Sequence, residues 1–382
     1  MNPDAEGRAK QPPCFGGVWQ GAAGAHPDSD FAGDVITSLD FFNLCRSPMA
    51  TSLFRRAVSA TALVVAALAS VPAQAGTFSN MFVFGDSLSD THNLFLATGG
   101  ALPDLNQGPY FDGRYSNGPL WVETLAADLG LPNGSKAFLA GGNNYAFAGA
   151  RTGIDIAPPG VFAQVGGLWN GLGDPNALYV VVAGGNDMRD ARSAFTTNSA
   201  ADNLGREQSA EIAVNNLKFS LGFLAAHGAR HVLVSNLPDL GGTPEANFLG
   251  LSAASTDATN RFNALLPGLL AAGAGYGLDM SFLDLAGLLQ SVIVDANTNG
   301  GAKYGITDVT EPCKDFLGSV SQHACSVSLF SDSLHPSAAA HKLIGEAAFA
   351  AVVPEPETYA LLAFGLLAVV LQSRRRTRRI AG

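Results

Sequence analysis

The sequence has 382 residues, 47% of them hydrophobic and 14% charged, with 44 glycines and 20 prolines. That length accommodates one large domain with appendages, and the apolar fraction excludes a mainly disordered chain. With 32 acidic against 22 basic residues the formal charge is −10, and the one dense basic run, 374–379, sits at the extreme C-terminus. A nucleic-acid partner, which needs a basic face, is therefore not expected.

In chain order, residues 1–48 show no apolar periodicity and read as an extension upstream of the true start at Met49. Residues 49–75 read as a signal peptide. MATSLFRR supplies the basic n-region, AVSATALVVAALASV the apolar h-region, and Ala73-Gln74-Ala75 the small-x-small cleavage site. A buried helix fits less well, because Arg55 and Arg56 adjoin the apolar run. Signal peptidase is the implied partner, and the mature chain is expected to begin at Gly76, outside the cytoplasm.

Residues 76–352 lack repeats and linkers and read as one domain. Short apolar runs rich in β-formers occur at 81–84, 177–183, 230–235 and 278–283, with a weaker one near 144–147. Helix-like stretches at 120–129, 208–227, 254–272 and 337–352 alternate with them. Continuous apolar strands between helices predict an α/β fold, a parallel sheet covered on both faces. Ligands bind such sheets beyond the carboxyl ends of the strands.

The strand ends carry the informative residues. FVFGDSLSDTHN follows the first strand and places Ser87 in a Gly-Asp-Ser turn, where a plain helix cap is an equal reading. NNYAFAGART follows the weak second strand and carries Gly149. VVVAGGNDMRD places Asn186 on a glycine-rich turn after the third, a common position for a simple turn residue. FSDSLHPSAAAH, near the end, sets Asp332 three residues before His335, within reach of its imidazole.

Together these blocks resemble the GDSL lipase/esterase family, the SGNH hydrolases: Ser in GDSLSD, Gly in YAFAGA, Asn in GGND and His in DSLHP, in that order. The stretch GPYFDGRYSNGPLWVETLA (108–126) is also similar to members related to bacterial acyltransferases and plant lipases. The resemblance implies a flavodoxin-like three-layer α/β/α sandwich with a parallel five-stranded sheet. It implies Ser87 as nucleophile, His335 as general base then acid, and Asp332 as the residue orienting His335. The oxyanion hole would comprise the backbone N–H groups of Ser87 and Gly149 and the amide of Asn186. The chemistry is sound independently: a serine hydroxyl needs an imidazole to take its proton, and a tetrahedral oxyanion needs prearranged donors. Two residues depart from the family pattern: His92 stands where glycine is common, and Ser331 replaces an aromatic. His92 reads as a loop residue more readily than a substrate contact.

A G-x-S-x-G elbow is absent; Gly250-Leu251-Ser252-Ala253-Ala254 comes nearest and follows no strand. DANTNG, from Asp295, begins like a calcium loop, but its twelfth position is Ile306. No metal or cofactor is expected. Cys313 and Cys325 are the only cysteines of the mature segment, and export favours their disulfide.

Residues 353–382 run Val-Pro-Glu-Pro, an apolar stretch at 359–371 expected to form a transiently membrane-anchored helix, then an arginine cluster. That order resembles the PEP-CTERM sorting signal of Gram-negative bacteria, which implies an exosortase partner and delivery to the cell envelope or extracellular matrix. A plain tail anchor is the other reading. The expected function is an exported serine esterase or lipase acting on a lipid, an acylated glycan or a small ester. An acyltransferase to a sugar or lipid hydroxyl shares every motif, and a non-catalytic matrix-binding protein is the third class.

Overall fold

Four parallel strands form the central sheet: β1 (Met81–Gly85), β2 (Leu178–Val182), β3 (His231–Ser235) and β4 (Asp279–Leu283), hydrogen-bonded in that order. The structure is a computed structural model that describes residues 78–353, except 107, 170 and 314–323, together with Gly365. The upstream extension, the signal peptide and nearly all of the C-terminal tail lie outside the described residues. Among the described residues no helix is long and apolar enough to cross a membrane.

β2 is buried along its whole length because both sheet faces are covered. Alternate side chains of a strand point to opposite faces, so its residues divide between two cores. Tyr179 and Val181 join Phe84, Val232 and Val234 against α3 (Ala200–Ala226) and α4 (Ser252–Gly275), through Leu217, Leu221 and Phe262. Leu178, Val180 and Val182 join Met81, Val83 and Leu233 on the other face. There α1 (Trp121–Asp128), α5 (Leu285–Asn299) and α6 (Ala338–Val352) supply Trp121, Leu125, Leu289 and Ile344. The remaining long helix, α2 (Gly185–Ala194), follows β2. The result is the expected three-layer α/β/α arrangement.

The regular sheet has four strands, not five. Residues 143–147 run beside β1, where Val83 N–H donates to the Asn143 carbonyl (3.1 Å), Tyr145 N–H to Val83 (2.7 Å) and Phe147 N–H to Gly85 (3.1 Å). Only Asn144 forms a bridge with Val83. On its outer side the segment meets a single parallel bridge, Ala137 with Asn144, where Phe138 N–H donates to the Asn144 carbonyl (2.7 Å) and Asn144 N–H to that of Lys136 (3.0 Å). The Asn93 amide also donates to the carbonyls of Asn144 (2.7 Å) and Ala146 (2.8 Å). Counting the segment as a strand position, the order matches the flavodoxin-like 2-1-3-4-5 pattern.

Helices α2 and α5 were not among the stretches the periodicity predicts. The calcium-like segment at Asp295 is in fact the last turn of α5, and the Asp295 carboxylate receives the N–H groups of Lys303 (2.9 Å) and Tyr304 (3.1 Å). It caps the chain reversal after the helix. A short parallel pair, β5 (Asp308–Pro312) and β6 (Ser328–Phe330), lies beyond the main sheet. Cys313 and Cys325 are disulfide-bonded across 12 residues, and the Cys313 N–H donates to the Phe330 carbonyl (3.0 Å).

Closing a loop of this size stabilises a fold by about 3 kcal/mol through the lost entropy of the unfolded chain. Replacing Cys313 and Cys325 together by serine should lower the unfolding free energy by roughly 2–4 kcal/mol. Denaturant titration reads this as a reduced midpoint; an unchanged midpoint would mean the bond adds nothing.

Candidate active site

Beyond β1 the chain turns sharply, with Ser89 and Asp90 donating their N–H groups to the Asp86 carbonyl (3.0 and 2.9 Å). This turn leaves Ser87 at the carboxyl edge of the sheet. The last loop arrives from β6, held by Ser331 N–H donating to the His335 carbonyl (2.8 Å). Asp332 organises that loop from within. Its Oδ1 receives the N–H groups of Leu334 (2.8 Å) and His335 (2.6 Å), which frees Oδ2 to meet His335 Nδ1 at 2.8 Å. His335 Nε2 then lies 2.8 Å from Ser87 Oγ, although 248 residues separate them. Asp332, His335 and Ser87 form one continuous hydrogen-bond chain.

Gly149 and Asn186 flank the same edge. Gly149 has φ +81°, a backbone region where any side chain is strained, so glycine is required at this turn. Neither its N–H nor that of Ser87 meets an acceptor among the described residues. Asn186 sits in the first turn of α2, and its Nδ2 donates one hydrogen to the Ala150 carbonyl at 3.0 Å. An amide carries two such hydrogens, so the second is available. His92 is placed elsewhere: its Nδ1 lies 2.8 Å from the Asp112 carbonyl, and its ring packs on Phe95.

Several contributing residues carried no signal as separate motifs. Tyr110 donates its hydroxyl to Asp332 Oδ2 at 3.2 Å, and Tyr115 packs its ring 5.1 Å from that of His335. Both lie in the 108–126 stretch, whose family likeness was visible but whose roles were not. Asp90 is buried and collects four N–H groups, from His92, Asn93, Leu94 and Ala148. It thereby fastens the Ser87 turn to the segment carrying Gly149. Glu245 pairs with Arg189 and the buried Arg192, while its own N–H donates to the Ser333 carbonyl at 2.9 Å. That single residue ties α2 to the loop between Asp332 and His335.

Electrostatics follow from this burial. For Asp332 desolvation works upward, but the charge and hydrogen bonds of His335 outweigh it and hold the carboxyl below its ordinary range. Burial, followed by the Asp332 charge, pushes the Tyr110 phenol up, so it remains a donor. Burial also raises Asp86 to about 6, and Asp187, which receives the Thr152 hydroxyl at 2.8 Å, to about 6. His341 is driven down to about 3, first by burial and then by His335, and stays neutral in the core.

A family model described as GDSL-like lipase/acylhydrolase matches residues 81–348, a span holding every residue of this site. The chain belongs to the GDSL-like lipase/acylhydrolase family. A PEP-CTERM protein-sorting motif also matches, at residues 352–376. Among curated proteins, the GDSL-family chain is similar to a phosphatidylcholine-sterol acyltransferase of Aeromonas hydrophila, with 30% identity over 54% of this chain and 57% of that one. It is similar to esterase EstA of Pseudomonas aeruginosa, with 29% identity over 75% of this chain and 48% of the relative. A thermolabile hemolysin of Vibrio parahaemolyticus is 25% identical over 72% of this chain and 63% of its own. The chain thus spans about half to two-thirds of the length of these relatives.

Because Asp86 holds its proton to about pH 6 when folded, against 3.8 as its ordinary value, folding loses stability as pH rises through that window. Above pH 6 the cost is constant. The isosteric Asp86→Asn variant retains an acceptor for the Leu88 N–H and removes the cost. It should be more stable than the wild type by about 2–3 kcal/mol at pH 8, with the gain vanishing near pH 4. Denaturant titrations across this range check the sign; a gain independent of pH would contradict it.

Proposed function

We propose that this protein is an exported serine acyl hydrolase that cleaves carboxylic esters through an acyl-enzyme on Ser87. The carrying observation is the unbroken contact chain from Asp332 through His335 to Ser87, at 2.8 Å for each step. Ser87 Oγ attacks the ester carbonyl carbon while its proton passes to His335 Nε2. The Asp332 carboxylate holds the Nδ1–H and stabilises the imidazolium that forms. The carbonyl oxygen, now an oxyanion, is met by the N–H groups of Ser87 and Gly149 and the second amide hydrogen of Asn186. Collapse breaks the ester C–O bond, and His335 returns the proton to the departing alcohol. Water then attacks the acyl-Ser87 carbonyl, losing its proton to the same imidazole, and Ser87 is restored as the acid leaves.

A second reading is favoured by one relative's name, an acyltransferase: an acceptor hydroxyl would replace water in the second half-reaction. Product analysis with and without an acceptor alcohol separates the two. We further place the mature enzyme in the cell envelope or beyond. It would begin at Gly76 after signal peptidase, and its tail from 353 would be recognised by an exosortase, with the apolar run 359–371 as transient anchor. Intact mass of the protein from its native host tests this: a full-length chain of 382 residues in the cytosol would reject it.

A fluorophosphonate probe should label Ser87 alone. Ser87→Ala and His335→Ala should each lower ester turnover by several decades, because the residues act as a unit. Asn186→Ala should still accept the probe while losing about 10²–10³-fold in kcat, the effect of one oxyanion donor. Asp332→Asn should fall between these. Full activity in a folded Ser87→Ala variant would sink the assignment.

A further inference from the structure

A cavity of about 710 Å³ borders both Ser87 and His335 and extends between the loop after β3, α4 and α5. One wall is mainly apolar, with Gln290 beside it. Leu285, Leu289 and Ile293 recur every fourth residue along one face of α5, and Leu329 and Phe330 of β6 continue it. The facing wall from α4 contains polar residues; three have their hydrogen bonds made within the chain, while the Asn260 side chain makes none among the described residues. Asn263 is bonded to both the carbonyl and the N–H of Leu237, Thr259 donates to the Ser255 carbonyl, and Thr256 donates to Asp239. The Ser235 hydroxyl is covered from solvent and meets no partner among the described residues. Away from the Ser87 end, the cavity therefore solvates an apolar ligand better than a polar one.

Which part of an ester enters follows from the order of events at Ser87. The alcohol leaves and water must arrive beside His335 Nε2, so that side needs an exit. The acyl group stays bound to Ser87 Oγ through both half-reactions and can occupy an inner cavity. A liquid water takes about 30 Å³, and ten carbons at roughly that volume per heavy atom need about 300 Å³, well within the space present.

We propose that this cavity holds the acyl chain of the ester, that the substrates are esters of medium- to long-chain fatty acids, and that Leu289 and Ile293 set the usable length. The proposal rests on Ser87 as the nucleophile. Each methylene moved from water into an apolar wall is worth up to about fourfold in binding.

The test uses p-nitrophenyl esters from acetate to decanoate with the disulfide-bonded protein. The expected result is a rise in kcat/KM of about 100-fold from butyrate to decanoate. Ile293→Trp and Leu289→Trp, which fill the cavity, should each lower the decanoate-to-butyrate ratio at least tenfold, and Leu289→Ala should move the preferred length upward. A parallel series of alkyl acetates varies the alcohol alone and should stay flat. Best activity on acetate and butyrate, an unchanged ratio in all three variants, or a rise with alcohol length instead would each overturn the acyl cavity while leaving Ser87 as the nucleophile. A wild-type protein that cleaves no ester and resists a fluorophosphonate would overturn both.

Discussion

The contact between His335 Nε2 and Ser87 Oγ joins two segments 248 residues apart, and most of the architecture bears on whether that 2.8 Å separation is met. Ser87 lies in the turn after the first strand of the domain and His335 in its last loop. A parallel sheet makes such a meeting possible, because every strand delivers its following loop to the same edge. β1 and β2 pair in exact register from Met81–Leu178 to Gly85–Val182, so the turns carrying Ser87 and Asn186 emerge side by side. α6, capped at its start by the Ser337 hydroxyl, packs back on α1 and carries the preceding loop with it.

Positioning at this edge depends on carboxylates that have been taken out of water. Asp90 gathers four backbone N–H groups and so joins the Ser87 turn to the turn that holds Gly149. Asp332 gathers two and then faces the imidazole. Burying a carboxylate is costly even when its lone pairs are filled: burial raises Asp90 despite its four donors, whereas for Asp332 burial is outweighed by the charge of His335. Asp86 and Asp187 have fewer donors, and desolvation raises both to about 6. The Ser87 turn therefore carries a standing electrostatic cost. Leu88 N–H is the side-chain-bound donor to Asp86, which is how that cost is linked to the turn geometry.

The disulfide and the sorting motif fit one another. Cys313 adjoins β5, its N–H bonds to the strand that leads into Asp332, and its Sγ lies 3.5 Å from the Ser331 carbonyl. The bond thus restrains the chain entering the Asp332–His335 loop. Disulfides persist in oxidising compartments, in keeping with a chain that also carries a PEP-CTERM motif at 352–376.

The periodicity of apolar residues was sufficient for the four strands and four of the long helices, because a sheet buried on both faces leaves uninterrupted apolar runs. Ser87, Gly149, Asn186, Asp332 and His335 were also legible as candidates, since each follows a strand-like apolar run and local turn chemistry restricts what can stand there. The 144–147 segment reads as a fifth strand because its side chains suit one, but it makes only single bridges, to Val83 and Ala137, and the Asn93 amide takes its carbonyls from the far side. α5 hid behind a calcium-like string because only the fold shows where the Asp295 lone pairs are spent. Tyr110, Glu245 and Arg192 left no local trace, because their partners lie tens to hundreds of residues away. The sequence by itself determined the chemistry available at each strand end, which is a matter of residue type and local turn. Only the tertiary structure decided which of those groups lie within hydrogen-bonding distance and how large a cavity adjoins them, because both depend on helices packing across long stretches of chain.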